Sequence, residues 1–174
     1  MKKLITIALA MCLIGASTAR AEEVTFTIQL VSDAGIGETI GTIKVTDTQY
    51  GALFTPALVK LTPGLHGFHV HEMPHCDCAE KDGKMTAALA AGSHYDPAKT
   101  GKHLGPYEGG HLGDLPPLFV NADGSCTLPV LAPRLKVKDL VARALMIHAG
   151  GDNYSDQPTA LGGGGARVAC GVAK

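Results

Sequence analysis

Strict alternation of apolar and polar side chains over residues 24–30 constrains this chain most. Val24, Phe26, Ile28 and Leu30 share one parity; Thr25, Thr27 and Gln29 share the other. Successive side chains of a strand point to opposite faces, so the pattern is that of a half-buried β-strand rather than of a helical stripe. Further strand-like runs lie at 40–45, 50–58, 67–71, 118–121, 126–131 and 144–148, with Gly and Pro between them. Asp33-Ala34-Gly35 and Gly37 mark a turn, and Asn121-Ala122-Asp123-Gly124 predicts a hairpin turn between two of the later strands. Residues 135–141 predict one or two helical turns. Many short strands argue an all-β fold, an antiparallel sandwich or barrel, and 174 residues suit one domain.

Two stretches break this rhythm. Residues 73–116 and 149–165 are rich in Gly, with little periodic apolar pattern, and the second ends in Gly162-Gly163-Gly164-Gly165. Long irregular loops inside a compact domain are commonly functional. Residues 1–21 read differently again: Met1-Lys2-Lys3 is basic, residues 4–15 are apolar but too few to span a bilayer, and Ala19-Arg20-Ala21 is a small-x-small cleavage pattern. The expectation is a cleaved signal peptide over 1–21, a domain over 22–174, and no membrane association after cleavage. Cleavage removes Lys2, Lys3 and Arg20 and no acid, so the remaining chain is acidic, and no basic block suggests nucleic acid. It retains Cys76, Cys78, Cys126 and Cys170, an even count that suits disulfides in an exported protein and allows three full pairings.

Functional chemistry concentrates in the histidines. In Gly-Leu-His-Gly-Phe-His-Val-His-Glu, residues 64–72, His69 and His71 stand two apart on a predicted strand, so their imidazoles project from one face. Imidazole is the commonest metal ligand and suits copper and zinc. The first long loop adds His94, His103, His111 and Asp114 with spacing His-x8-His-x7-His-x2-Asp. Three imidazoles and a carboxylate make a closed tetrahedral set that zinc accepts, and metal binding would offset the entropy of ordering so long a loop. His148, which ends the apolar run 144–147, would complete an all-imidazole set with His69 and His71, of the kind that suits copper.

Four separated blocks, Gly67-Phe68-His69-Val70-His71-Glu72, Gly92-Ser93-His94-Tyr95-Asp96-Pro97, His111-Leu112-Gly113-Asp114-Leu115 and residues 162–171, resemble copper-zinc superoxide dismutases of the bacterial periplasmic type in order and spacing. The resemblance implies an eight-stranded Greek-key β-barrel or sandwich with two long functional loops. It implies that His69, His71, His94 and His148 bind copper, and that His94, His103, His111 and Asp114 bind zinc, with His94 bridging the metals. Asp152 matches the carboxylate that hydrogen-bonds one histidine from each set, here His69 and His103. Arg167 matches the guanidinium that attracts the anionic substrate, and Cys76 and Cys170 match the family's disulfide. Cys78 and Cys126 have no counterpart in the pattern. His66 matches a bracing histidine, and His75 carries no assigned role.

The implied reaction is dismutation of superoxide to O₂ and H₂O₂ by copper cycling between Cu(II) and Cu(I), with zinc structural and with His94 and Arg167 as the catalytic residues. Periplasmic export follows from the signal, and a homodimer is one of the assemblies the family uses. The competing reading is a non-catalytic periplasmic protein that binds or delivers copper and zinc on the same fold. A zinc hydrolase is disfavoured because its zinc needs an open position.

Overall fold

The computed structural model describes residues 21–173; apart from Ala21, the expected signal peptide lies outside them. The alternation over 24–30 becomes β1 (Glu23–Ser32), joined by a tight turn to β2 (Gly35–Thr48) with Ser32 opposite Gly35. Phe26 and Ile28 are fully buried. Val24 and Leu30, half-buried, pack against the same core, so the whole expected face points inward; Val31, beyond a register irregularity, is buried on the other face with Met146 and Cys170. β3 (Gly51–Leu58) completes an antiparallel meander with Gly51 opposite Thr48.

The remaining strands are β4 (Gly64–His66), β5 (Phe68–His71), β6 (Ala79–Lys81), β7 (Lys84–Thr86), β8 (Leu118–Val120), β9 (Val130–Ala132), β10 (Ala144–His148) and β11 (Arg167–Ala173). One curled antiparallel sheet runs β5-β10-β11-β1-β2-β3-β9, and β4 pairs with β8. β4 and β5 are two halves of one strand broken at Gly67, whose backbone turns aside to bond Gly150 O (2.7 Å) and His148 N (2.9 Å). With β4 and β5 taken together, eight strands form the barrel, and β6–β7 is a separate hairpin. β9 lies beside β3 and β10 beside β5, the skipped connections of a Greek key. Phe26, Ile43, Phe54, Phe68, Leu118 and Leu145 fill the interior. A smaller apolar cluster of Val31, Cys76, Ala88, Ala91, Met146 and Cys170 lies under the first long loop.

Three local expectations change. Residues 73–116 are not wholly irregular: they hold β6, β7 and a 3-10 turn at Leu89–Ala91. Of the run 126–131 only its end enters β9. Cys126 makes a single bridge to Leu58, and Pro129, lacking an N–H, cannot extend the ladder. The turn at 121–124 closes as expected, with Asn121 N–H bonded to Ser125 O at 2.8 Å, but it joins no hairpin, because β8 pairs with β4 and β9 with β3. Residues Val137–Leu140 form the expected helical turn as a 3-10 segment.

Cys76 and Cys170 form a disulfide across 94 residues, and Cys78 and Cys126 are free thiols. Burial pushes the Cys126 thiol up to about 11, so it is inert at neutral pH. Among the described residues no helix is long and apolar enough to cross a membrane.

Candidate metal centre

β5 carries two different faces. Phe68 and Val70 enter the core, while His69 and His71 project together from the other face, both essentially inaccessible. Its neighbour β10 sets Ala144 opposite His71 and Met146 opposite His69, so His148, two residues further on, falls on the same face. The first long loop supplies the other flank of β5. Val70 N–H bonds Gly113 O and Tyr95 N–H bonds Val70 O, both at 2.8 Å, and Glu72 N–H bonds Ser93 O at 3.0 Å. These contacts place His94 opposite His71 and Asp114 opposite His69. Gly113 is required for this close approach: a Cβ there would strike Val70 O and the Tyr95 backbone.

The ligand-type atoms of His69, His71, His94 and His148 all lie within 4.8 Å of one another. His69 Nδ1, His71 Nε2, His94 Nε2 and His148 Nε2 are buried and have no hydrogen-bond partner. Three of these rings are tied down by their other nitrogen: His69 Nε2 to Asp152 Oδ2 (2.8 Å), His71 Nδ1 to Gly92 O (2.9 Å) and His148 Nδ1 to Gly165 O (3.1 Å). Such outer partners fix tautomer and orientation. Burial lowers the pKa of His69, His71, His94 and His148, the last to about 4, so these rings are neutral. A cluster of neutral imidazoles with unpartnered inward nitrogens is costly unless it serves as a donor set for a metal.

A second convergence lies beside it. His94 Nδ1 and His103 Nδ1 are each 3.0 Å from Asp114 Oδ1, and His111 Nδ1 is 3.3 Å from it. One carboxylate oxygen cannot accept three good hydrogen bonds, and His103 Nδ1 makes none by geometry. A tetrahedral zinc with bonds of about 2.0–2.1 Å sets its donors roughly 3.3 Å apart, and the three nitrogens lie 3.0, 3.0 and 3.3 Å from Asp114 Oδ1. His69 also lies within 4.8 Å of His94, His103 and Asp114. Its Nε2 is held by Asp152 and its Nδ1 faces the first set, whereas His111 Nδ1 faces Asp114 Oδ1.

Asp152 ties the two sets together: Oδ2 bonds His69 Nε2 and Oδ1 bonds His103 Nε2, both at 2.8 Å. Burial alone would raise both Asp114 and Asp152, but the imidazoles in contact with them, His103 and His94 for Asp114 and His103 and His69 for Asp152, hold both well below the usual carboxylate range. Burial likewise opposes protonation of His103, yet the two carboxylates beside it, Asp114 at 3.0 Å and Asp152 at 2.8 Å, outweigh it and raise its pKa to about 9.

Arg167 stands at the start of β11, with Nη1 donating to Ala88 O (2.6 Å) and Nη2 to Gly92 O (2.7 Å). Gly92 O therefore accepts from both Arg167 and His71. Burial lowers the guanidinium pKa from its ordinary value, and the group keeps its charge at neutral pH. The sequence-predicted residues thus meet in one place, whereas His66 and His75 stay outside it. His66 bridges the His148 and Thr62 carbonyls at 2.6 and 2.7 Å, and the His75 side chain is exposed.

Sequence reasoning missed the supporting groups. Asp156 accepts the His103 N–H at 2.9 Å. Gly162, at φ 71°, leaves the space that Asp152 and His103 use to meet, since a Cβ there would strike both. The Gly92 and Gly165 carbonyls orient two rings. Backbone groups carry no residue-type signal, although the run 162–165 was a visible sign that some close approach occurs there.

Comparison with known proteins accounts for this arrangement. The family described as copper/zinc superoxide dismutase (SODC) matches residues 39–173. A Salmonella typhimurium superoxide dismutase [Cu-Zn] 1 is 58% identical, with 99% of this chain and 98% of the relative covered. One from Photobacterium leiognathi is 57% identical, covering 82% and 83%. The solved Cu/Zn superoxide dismutase from Brucella abortus matches with a TM-score of 0.86 at 52% identity, covering 88% of this chain and 100% of that one. The solution structure of the monomeric copper, zinc enzyme from Salmonella enterica matches at 0.80 and 55% identity, with the same coverage. By matched length, by identity and by fold, the chain belongs to the copper/zinc superoxide dismutase family.

Proposed function

We propose that this chain dismutates superoxide, converting two superoxide anions and two protons into O₂ and H₂O₂. The observation that carries the reading is His94, which turns Nε2 toward the all-imidazole set and Nδ1 toward Asp114. His69 Nδ1, His71 Nε2, His94 Nε2 and His148 Nε2 are the copper donors. His94, His103 and His111 through Nδ1, with Asp114 Oδ1, are the zinc donors. When bound, copper supplies the one-electron oxidation and reduction that dismutation needs, and zinc supplies a fixed charge without redox change.

The chain's own groups do the rest. Arg167 keeps a positive charge beside the His71 end of the site and draws the small anion inward. Its two backbone anchors hold the guanidinium plane in place, so no reorganisation is needed on arrival. His94 Nε2 is the atom that takes up a proton and returns it to the departing peroxide, while its Nδ1 side keeps the ring in position. Burial of His69, His71 and His148 keeps them neutral and available as donors across the physiological range.

Export to the periplasm is part of the reading. The Cys76–Cys170 disulfide suits an oxidising compartment, and the close relatives are bacterial. The mass of the protein recovered from the periplasm reports whether residues 1–21 are removed. For the activity, the test is superoxide consumption by full-length protein loaded with both metals. Turnover that requires copper and is absent from protein loaded with zinc alone supports it. A protein that holds copper through these residues yet consumes no superoxide is a binding or delivery protein instead.

A further inference from the structure

The rings of the metal centre are braced unequally. His69 and His103 are tied through Nε2 to Asp152, His71 through Nδ1 to Gly92 O, and His148 through Nδ1 to Gly165 O. His94 turns both nitrogens into the centre. His111 is the exception: among the described residues its Nε2 has no hydrogen-bond partner. It follows Gly109-Gly110, the least conformationally restricted pair of residues in the loop, and at 7% exposure it is less buried than His69, His71, His94 or His103.

What holds His111 is its backbone. Its N–H bonds Lys102 O at 2.9 Å. Its carbonyl accepts from Arg134 Nη1 at 3.2 Å, and the carbonyl of Gly110 accepts from Arg134 Nη2 at 2.8 Å. Arg134 lies just beyond β9, between Pro133 and the fully buried Leu135, so its own backbone is fixed to the barrel. A guanidinium presents a planar fork whose two arms can hold two successive carbonyls, which a lysine ammonium cannot reproduce.

We propose that Arg134 is a positioning residue for the zinc half of the centre: its fork on the Gly110 and His111 carbonyls replaces the missing ring brace and aims His111 Nδ1 at Asp114. The proposal rests on the reading of His111 as a zinc ligand. Without the fork, the Gly109–His111 segment is ordered only when the metal arrives, and the entropy of ordering is subtracted from binding. Loss of an outer contact of this kind weakens metal binding by roughly ten- to a hundredfold.

The experiment uses full-length protein stripped of metal, as wild type, Arg134→Ala and Arg134→Lys. Zinc alone is titrated against a chromophoric chelator, and Co²⁺ is added separately as a visible-spectrum reporter of tetrahedral geometry. The melting temperature of each metal-free protein is recorded. The expected result is zinc affinity at least roughly tenfold weaker in Arg134→Ala, a smaller loss in Arg134→Lys, and an altered Co²⁺ spectrum in both. Zinc affinity and Co²⁺ spectrum identical to wild type, even with a lowered melting temperature, overturn the proposal and leave Arg134 a loop staple. If Arg134→Ala does not fold, Arg134→Lys decides by the same two readouts. A wild-type protein with no tetrahedral Co²⁺ signature defeats the zinc reading itself, a result distinct from wild-type binding that ignores Arg134.

Discussion

On the β5–β10 side of the centre, His69, His71 and His148 project from paired strands whose opposite faces are packed into the barrel. On the other side, His103 and His111 project from a stretch with no strand of its own, held by polar contacts to Asp152, Asp156 and the Lys102 carbonyl, and meet Asp114 there. The first set is placed by hydrophobic burial and would stand without metal. The second is placed by hydrogen bonds around a point where three nitrogens crowd one oxygen, an arrangement that a cation completes. His94 and Asp114 belong to the loop but are paired against β5, so both inherit the precision of the strand side.

The largest expected effect strikes the strand side. His71→Ala removes an inward nitrogen and leaves the barrel intact, so copper-dependent superoxide consumption should fall to background while zinc content measured by elemental analysis stays at wild type. Full activity in that variant breaks the division of the site into two sets. Next in size is the covalent tie. Replacing Cys76 and Cys170 together by Ser opens a closure across 94 residues and should cost about 4–5 kcal/mol of stability in the chain-entropy picture, read by denaturant titration. Retention of wild-type stability would mean that the barrel alone orders the loop.

Gly162→Ala sharpens the contrast. The added methyl strikes Asp152 and His103, and the backbone there has φ 71°. Zinc affinity should drop by roughly ten- to a hundredfold, with copper affinity changed less; equal losses for both metals would show that the halves are not separable. The smallest effect is in the pH dependence of the metal-free protein. His148, with its pKa lowered to about 4, and His69 and His71, also lowered by burial, bind protons less readily folded than unfolded, so stability falls as pH drops below about 6.5. His103, raised to about 9, does the opposite: its contribution is full below about 6.5 and is lost as pH rises through 9. The melting temperature of metal-free protein should therefore peak near neutrality, and zinc should erase the alkaline limb only. An alkaline limb that persists with zinc bound would move its origin away from His103.

What the sequence made legible follows the same division. Strand-borne histidines announce themselves by parity: His69 and His71 by their two-residue step, and His148 by its place at the end of an apolar run. The loop donors were legible through spacing and resemblance, because side chains of the right type recur at short intervals. The hairpin Ala79–Thr86 inside the loop was not legible, since Glu80, Lys81, Lys84 and Met85 are exposed and follow no burial pattern. Nor was the burial of Val31 on the face opposite Leu30, which comes from the Cys76, Met146 and Cys170 cluster under the first long loop rather than from the strand's own pattern. Arg134 was invisible for a similar reason: its partners are carbonyls 23 and 24 residues away, and a carbonyl has the same chemistry under every side chain.

Asp152 accepts from His69 with one oxygen and from His103 with the other. A single carboxylate therefore reports the state of each set to its neighbour, and thermodynamic linkage makes that report symmetrical. Whatever factor zinc occupancy lends to copper affinity, copper occupancy must lend to zinc affinity. With any such factor other than one, a preparation lacking one metal would be a protein with a different affinity for the other, while stepwise loading in the two possible orders must still reach the same final free energy.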